Sequence, residues 1–294
     1  MKKFYGTGVA LVTPFFNSGK IDFKSLRKIL DHTSQSVDYW VVMGTTGESA
    51  TLSNEEKKEV LDFVIKNNSK KKPIVCGIGG NNTAKVIEEI KTTNLDGVDA
   101  LLSVAPYYNK PSQEGIFQHF AAIADSSPLP IILYNVPTRT SINISAETTV
   151  RLSKLKNIIG IKEASCDLVQ CMTILRDKHP EFIVISGDDI FTLPLYSLGG
   201  SGVISVLANA IPQLFEGIKN ASQSGRYAEA HKDLFDVLEL NKLLYEEGNP
   251  VGIKQLLHEM NLCTPKVRLP LANCSEKLSK QIKTSYNRYK ERSS

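Results

Sequence analysis

The chain has 294 residues, which is enough for one large domain or two ordinary domains with a substantial core. Its formal net charge is only +4, and lysines are interspersed with acidic residues, so neither a nucleic acid nor a membrane surface is indicated as a partner. No run approaches the ~20 apolar residues that a membrane helix needs.

The N-terminus lacks the apolar segment of a signal peptide and runs directly into a predicted strand. The five cysteines are odd in number, scattered and without a CxxC pair: Cys76, Cys166, Cys171, Cys263 and Cys274. This usage is typical of free thiols in a reducing compartment. We therefore expect a cytoplasmic protein.

Short apolar runs alternate with amphipathic segments along the first three quarters of the chain. The predicted strands are 8–12, 39–43, 74–77, 100–104, 131–134, 158–161, 182–186 and 202–206. The predicted helices are 54–66, 83–93, 113–124, 146–155, 168–178, 190–198 and 210–220, and Ser53 and Glu56 have capping-box spacing at the first. The alternation predicts an α/β fold, a (β/α)8 TIM barrel. A doubly wound sheet is the alternative, but its Gly-rich phosphate turn is missing after the first strand.

From residue 224 the pattern is helical only, with predicted helices at 227–244, 251–260 and 276–289. No linker separates them from the preceding elements. We therefore predict a catalytic barrel at 1–223 and an appended C-terminal helical region at 224–294, packed on the barrel and involved in assembly.

In such a barrel the chemistry lies at the C-terminal ends of the strands. Lys162 occupies one of these ends, after the apolar run 157–161. Alone, this pattern is more typical of a lysine that reaches the surface. A lysine held over a packed interior is instead poised for nucleophilic attack, because burial favours the neutral amine that forms a Schiff base.

Strand alternation predicts that Gly160 and Ile158 share the face of Lys162, with Ile159 on the opposite face. Gly160 would leave room for the long side chain above it. Tyr134, at the end of the preceding strand, would then meet Lys162 in one pocket. A phenol in that place can carry the proton transfers of Schiff-base chemistry.

Other strand ends offer weaker candidates. Thr45 and Thr46 can extend a proton relay or bind a carboxylate, and they equally suit a turn before a helix. Arg139 can hold a carboxylate bidentately or remain an exposed cation. Asp188 and Asp189 fit either a metal or an N-cap. Because no histidine lies at a strand end, a zinc-dependent aldolase is disfavoured and no metal is expected.

With these residues placed, the chain resembles the dihydrodipicolinate synthase (4-hydroxy-tetrahydrodipicolinate synthase) family over nearly its whole length. The motifs are GTTGES at 44–49, APYYN at 105–109, YNVPTRT at 134–140, GIKEA at 160–164, SGDD at 186–189 and GVISV at 202–206. GTTGE and the strand lysine also occur in the wider superfamily of N-acetylneuraminate lyases and keto-deoxy sugar acid aldolases. Arg139 and the pair Tyr107 and Tyr108 narrow the resemblance to the synthases.

The resemblance implies condensation of pyruvate with L-aspartate 4-semialdehyde through a Schiff base on Lys162. The implied product is 4-hydroxy-tetrahydrodipicolinate, a precursor of diaminopimelate and lysine, and the reaction needs no further cofactor. In the family, Tyr134 is the proton donor and acceptor, and Thr45 connects it to Tyr108 of a neighbouring subunit. A tyrosine supplied in trans implies at least a dimer, and the family pattern is a homotetramer, a dimer of dimers.

The remaining site residues are carried over in the same way. Thr46 would hold the pyruvate carboxylate, and Arg139 would bind the semialdehyde carboxylate at the entrance. Gly187 and Ile204 would line the pocket with backbone groups.

The resemblance also points to a possible allosteric cleft at the dimer interface, where lysine-inhibited relatives bind lysine. The matching positions are Ser49, Ala50, Asn54, Lys57, Asn81, Lys85 and Tyr107. Sensitive bacterial relatives carry a glutamate where this chain has Lys85. Like charges at ~4 Å cost about 1–4 kcal/mol, so Lys85 would repel the effector's amine. The sequence therefore predicts weak or absent lysine inhibition.

Two alternatives remain open at this point. A pyruvate-dependent sugar-acid lyase would share Lys162 and Tyr134, and Arg139 with the tyrosine pair disfavours it. A barrel that serves only as a regulator or scaffold is disfavoured because the whole catalytic set is present.

Overall fold

The computed structural model describes residues 2–293, which form a closed barrel of eight parallel strands in sequence order, with β8 pairing with β1. The strands are β1 (Gly6–Ala10), β2 (Tyr39–Val42), β3 (Ile74–Gly77), β4 (Ala100–Val104), β5 (Ile131–Asn135), β6 (Ile158–Glu163), β7 (Ile183–Ser186) and β8 (Gly202–Ser205). The helices are α1 (Phe23–Thr33), α2 (Asn54–Lys66), α3 (Thr83–Thr92), α4 (Gln113–Ser126), α5 (Pro137–Thr140), α6 (Ala146–Leu152), α7 (Leu168–Asp177), α8 (Thr192–Ser197), α9 (Pro212–Gln223), α10 (Tyr227–Asp236), α11 (Leu238–Tyr245), α12 (Val251–Glu259) and α13 (Glu276–Ser293). The predicted TIM barrel with appended C-terminal helices is confirmed.

Helices α1, α2, α3, α4, α6 and α7 each start where a side chain accepts a free backbone N–H group of the first turn. The predicted capping box is present at α2, where Ser53 Oγ accepts from the Glu56 N–H at 3.2 Å and Glu56 Oε2 accepts from the Ser53 N–H at 3.0 Å. Helix α1 was absent from the predicted helices. It is capped by Asp22 and buries a stripe that includes Leu26 and Ile29, which is the periodicity that could have revealed it.

Two strands differ by two residues from their predicted bounds, and β2, β5, β7 and β8 differ by one residue at one end. β1 starts and ends two residues earlier than 8–12, and the Val12 N–H binds the Asn209 side chain at 3.2 Å instead of a neighbouring strand. β6 continues past residue 161 to Glu163 because Lys162 still pairs with its neighbours in β5 and β7. Lys162 is therefore a strand residue with a fixed backbone.

The C-terminal helices pack on one another and on the barrel. The predicted helix at 227–244 is in fact two helices, α10 and α11, which meet at Val237. α10 packs closely against α9, and α12 contacts the turn after β8. The division into domains at residue 224 stays a prediction. Within residues 2–293, no helix combines the length and apolarity needed to cross a bilayer.

The core has two layers, one inside the barrel and one between the strands and the helices. The pairing of β5 with β6 shifts by one residue, since Ile131 pairs with Ile158 but the next residue of β5 pairs with Gly160. The bulge places Ile159 in the inner layer and Ile158 in the outer layer. The predicted faces of these two isoleucines were therefore wrong, because simple alternation fails at a bulge.

Candidate active site

Lys162 and Tyr134 meet at the C-terminal end of the barrel. They pair across β5 and β6, and Lys162 Nζ lies 4.4 Å from the centre of the Tyr134 ring. Only 5% of Lys162 and 8% of Tyr134 are exposed. The predicted juxtaposition of an amine and a phenol in one enclosed place is thus present in the structure.

The backbone next to Lys162 is fixed by a buried polar network on the outer side of the barrel. Glu163 accepts hydrogen bonds from Asn135 Nδ2 at 3.0 Å, from the Ser165 N–H at 2.7 Å and from Gln170 Nε2 at 3.0 Å. Burial raises the pKa of the Glu163 carboxyl, and these donors oppose the shift. The network ties the end of β6 to the end of β5 and to α7, so Lys162 and Tyr134 are held in register.

Two glycines near the end of β6 allow neighbouring strands and turns to pack closely. A Cβ on Gly160, beneath Lys162 on the inner face, would lie 2.4 Å from Ile183 Cγ1. A Cβ on Gly187 would lie 2.6 Å from Ala164 Cβ, and the Gly187 N–H already binds the Glu163 carbonyl at 2.7 Å. Ile204 is fully buried in the inner layer. The roles of Gly187 and Ile204 as pocket-lining residues stay predictions.

Thr45 and Thr46 lie in a short 3-10 turn after β2, and their side chains point in different directions. Thr46 is 2% exposed, and its Oγ1 accepts a hydrogen bond from Asn249 Nδ2 at 3.1 Å. Thr45 is exposed. Among the described residues no hydrogen bond joins the Thr45 hydroxyl to Tyr134. The predicted relay is therefore not assembled within one chain.

Tyr108 projects from the loop after β4 and is 89% exposed, with its backbone at a φ of +73°. The loop itself is fixed. Asn81 Nδ2 donates to the Tyr107 carbonyl at 3.1 Å, and Asn109 Nδ2 donates to the Asn81 carbonyl at 2.9 Å. A large aromatic side chain on a fixed loop, pointing away from its own chain, fits contact with a second molecule.

Arg139 lies in the short helix α5 just after β5, and it is exposed. Within residues 2–293 its guanidinium has no hydrogen-bond partner, so all five of its N–H donors are available. The structure thus places a free cation beside the strand end that carries Tyr134. Its predicted carboxylate-binding role stays a prediction.

The two aspartates after β7 serve the backbone. Asp188 Oδ1 accepts the N–H groups of Ile190 and Phe191, both at 2.9 Å, and so holds the turn before α8; it is not the N-cap considered above, because α8 begins at Thr192 after Phe191. Asp189 is 1% exposed and accepts from the Leu207 N–H at 3.0 Å, tying β7 to the turn after β8. Burial raises the pKa of Asp189 to about 6. Among the described residues, no group of three or more histidine, cysteine, aspartate and glutamate side chains could hold a metal ion.

Three of the seven positions predicted to form an allosteric cleft share one groove, and the cleft itself stays a prediction. Asn54, Lys57 and Lys85 line a groove of about 630 Å³ between α2 and α3. Lys57 Nζ forms an ion pair with Glu89 Oε1 at 3.1 Å on the wall of this groove. The other predicted positions, Ser49, Ala50, Asn81 and Tyr107, lie outside its lining.

Residues of the C-terminal region reach the site, and sequence reasoning missed them because they follow no strand end. Asn249 contacts Thr46, and Lys254 forms a fully buried ion pair with Glu48, two residues further along the same turn. A lone lysine inside the apolar helix α12 is a signal that could have pointed to a buried partner.

Residues 3–288 match the model of the dihydrodipicolinate synthetase family. The chain belongs to this family. It is 50% identical, over 97% of both chains, to the 4-hydroxy-tetrahydrodipicolinate synthase of Cytophaga hutchinsonii.

Solved structures of the family superpose closely on the chain. A monomeric dihydrodipicolinate synthase variant matches with a TM-score of 0.95 at 34% identity, covering 98% of this chain and 97% of its own. The Cyanidioschyzon merolae enzyme, solved with lysine bound, matches with a TM-score of 0.94 at 36% identity, covering 98% of this chain and 99% of its own. The predicted family, fold and synthase activity are thus confirmed.

Proposed function

We propose that this chain condenses pyruvate with L-aspartate 4-semialdehyde to form 4-hydroxy-tetrahydrodipicolinate. The observation that carries the proposal is the enclosed pair of Lys162 and Tyr134, with the amine 4.4 Å from the ring centre at the C-terminal end of the barrel. A buried amine beside a phenol provides a nucleophile and a proton carrier in one place.

The reaction begins when the Lys162 amine adds to the keto carbon of pyruvate and water leaves, giving a protonated Schiff base. Loss of a methyl proton gives the enamine. The enamine carbon attacks the aldehyde carbon of the semialdehyde, whose oxygen takes up a proton. The amine of the new product then attacks the imine carbon and displaces Lys162, which returns as the free amine.

The proton transfers need a group beside the Lys162 nitrogen, and Tyr134 is the residue so placed. Thr46 holds the pyruvate carboxylate, and Arg139, with its free donors, holds the carboxylate of the semialdehyde at the entrance. The carbonyl group is activated by covalent attachment to Lys162, so no further cofactor is part of the proposal.

We further propose that the active form is at least a dimer and assembles as a homotetramer. Tyr108 completes the relay through Thr45 of a neighbouring subunit, which is consistent with the exposure of both side chains in one chain. The side chains of Leu168, Val169 and Met172 are exposed on α7 and form an apolar surface. This surface supports a further contact, between dimers. The molar mass measured by light scattering tests this assembly.

The decisive experiment is borohydride reduction in the presence of pyruvate, followed by peptide mass mapping. An adduct on Lys162, lost in Lys162→Arg, is the expected result. An adduct on another lysine, or none, contradicts the proposal. A coupled assay tests the substrate: turnover of N-acetylneuraminate or a keto-deoxy acid without turnover of aspartate semialdehyde would identify a sugar-acid lyase instead.

A cytoplasmic location is also part of the proposal, and the five cysteines, all unpaired in the structure, support it. A fluorescent fusion observed in the native host tests the location.

A further inference from the structure

The turn that carries Thr45 and Thr46 ends in a buried charge. Glu48 follows the turn, is 4% exposed, and has its backbone in the left-handed region at a φ of +53°. Both carboxylate oxygens are engaged by the C-terminal region. Oε1 accepts from Lys254 Nζ at 2.5 Å, and Oε2 accepts from the Arg268 N–H at 2.9 Å. The conformation of this turn therefore depends on residues more than 200 positions away.

Lys254 is fully buried, and its ammonium group has several partners. Besides Glu48, its Nζ donates to the Lys266 carbonyl at 2.9 Å and lies 4.1 Å from the centre of the Phe15 ring. Burial lowers the pKa of Lys254, and the Glu48 carboxylate opposes this shift. A buried ion pair is weak evidence of stability, because two apolar residues of the same volume would often stabilise as well. The ion pair between Lys254 and Glu48 instead fits a role in fixing the conformation of the turn.

A second contact acts on Thr46 itself. Asn249 is 7% exposed, and its Nδ2 donates to Thr46 Oγ1 at 3.1 Å. Because the Thr46 oxygen accepts this bond, the Thr46 hydroxyl hydrogen remains free to point to another acceptor. On the opposite side of the turn, Thr13 Oγ1 donates to the Gly47 carbonyl at 2.7 Å. The turn is thus held on one side by Thr13, which follows β1, and on the other side by the C-terminal region.

We propose that Asn249 and Lys254 are positioning residues of the active site, which hold the Thr45–Gly47 turn so that Thr46 presents its hydroxyl hydrogen to the substrate carboxylate. The C-terminal helical region then contributes directly to the active-site geometry of its own chain, in addition to any part in assembly. This inference rests on the proposed function.

The test compares three variants. Asn249→Ala removes the donor to Thr46. The double variant Glu48→Gln/Lys254→Met removes the buried ion pair without leaving one charge uncompensated. Gln255→Met is the matched control, because Gln255 is a neighbouring buried polar residue of α12 whose amide donates to Glu259, not to the turn. For each we measure KM for pyruvate, kcat, the borohydride-trapped fraction and the unfolding midpoint.

Asn249→Ala is expected to raise KM for pyruvate about tenfold, the effect of losing one buried hydrogen bond that orients a binding group. The double variant is expected to lower kcat/KM by about 100-fold, because a misplacement of ~1 Å in a binding group has effects of that size. Gln255→Met is expected to change the unfolding midpoint alone. A general loss of folded protein scales kcat and leaves KM unchanged, so KM separates positioning from structural support.

Wild-type KM for pyruvate in Asn249→Ala overturns the inference, even if the double variant fails to fold. So does a loss of kcat/KM in the double variant no larger than that of Gln255→Met. If the wild-type protein itself forms no adduct on Lys162, the proposed function has failed. If it forms the adduct and the variants keep its KM, only the positioning inference has failed.

Discussion

Gly160 provides the sharpest test of how the barrel interior supports Lys162. In Gly160→Ala the new methyl group would lie 2.4 Å from Ile183 Cγ1 and 2.8 Å from the Ile183 carbonyl oxygen. Ordinary carbon contacts are ~3.5–4.0 Å, so more than ~1 Å of overlap must be relieved. Ile183 is 1% exposed, and one of the two clashing atoms belongs to the backbone of β7. The overlap therefore cannot be removed by rotating an exposed side chain.

Overpacking of this kind costs typically 1–3 kcal/mol, and the backbone clash places Gly160→Ala at about 2–3 kcal/mol. For a chain of this size we expect the melting temperature to fall by about 4–12 °C. Because Gly160 lies directly beneath Lys162, a shift of ~1 Å in β6 is also expected to lower kcat by about 100-fold.

Thermal unfolding and the coupled synthase assay measure the two effects. Gly217→Ala is the control. Gly217 lies inside helix α9, and a Cβ on it would have Asp233 Oδ2 as its nearest neighbour, at 3.4 Å. That change is expected to leave activity intact and to keep or raise the melting temperature, because alanine favours a helix. If Gly160→Ala were as stable and active as the wild type, the close packing beneath Lys162 could not be real.

Three further predictions concern protons and charge. Tyr134→Phe keeps the ring beside Lys162 but removes the hydroxyl group, and we expect kcat to fall by a factor of about 10²–10⁴ with an unchanged unfolding midpoint. A change in kcat of less than threefold would exclude Tyr134 as the proton carrier. Millimolar lysine is expected to leave the wild-type activity largely intact, whereas Lys85→Glu should increase sensitivity; half-inhibition of the wild type at micromolar lysine would contradict this. Asp189 has a pKa raised from 3.8 to about 6, so its stabilising contribution is full below about pH 4 and is lost as pH rises through 6. The stability advantage of wild type over Asp189→Asn, measured by urea unfolding, should therefore fall by about 1 kcal/mol from pH 5 to pH 7, and a constant difference would contradict the shifted pKa.

The parts of the site that the sequence could predict are those governed by strand periodicity. Parallel strands of a barrel end at the same edge, so the positions of Lys162 and Tyr134 along the chain are enough to place them together. The faces of Ile158 and Ile159 could not be predicted, because a bulge shifts the pairing by one residue and alternation carries no record of it. Such a shift depends on the neighbouring strand, not on the local sequence.

Contacts between residues far apart in the sequence could not be predicted either. Asn249, just before α12, and Lys254, within it, contact the turn after β2 across 203 and 206 positions, and the sequence around them does not identify their partners. A buried lysine demands a partner, yet nothing in the sequence says which carboxylate supplies it. Only the packing of α12 against the barrel selects Glu48.

The site divides into a closed part and an open part. Lys162, Tyr134 and Gly160 are enclosed by their own barrel, with register and packing fixed by β5, β6 and β7. Tyr108 and Arg139 are exposed, although their backbones are held by a turn or a short helix. In the proposed mechanism this division suits a sequential reaction, in which the enclosed residues form the covalent pyruvate adduct and the groups at the entrance take up the second substrate. In the proposed assembly Tyr108 of a neighbouring subunit reaches this entrance, so a change in subunit contacts is expected to lower turnover.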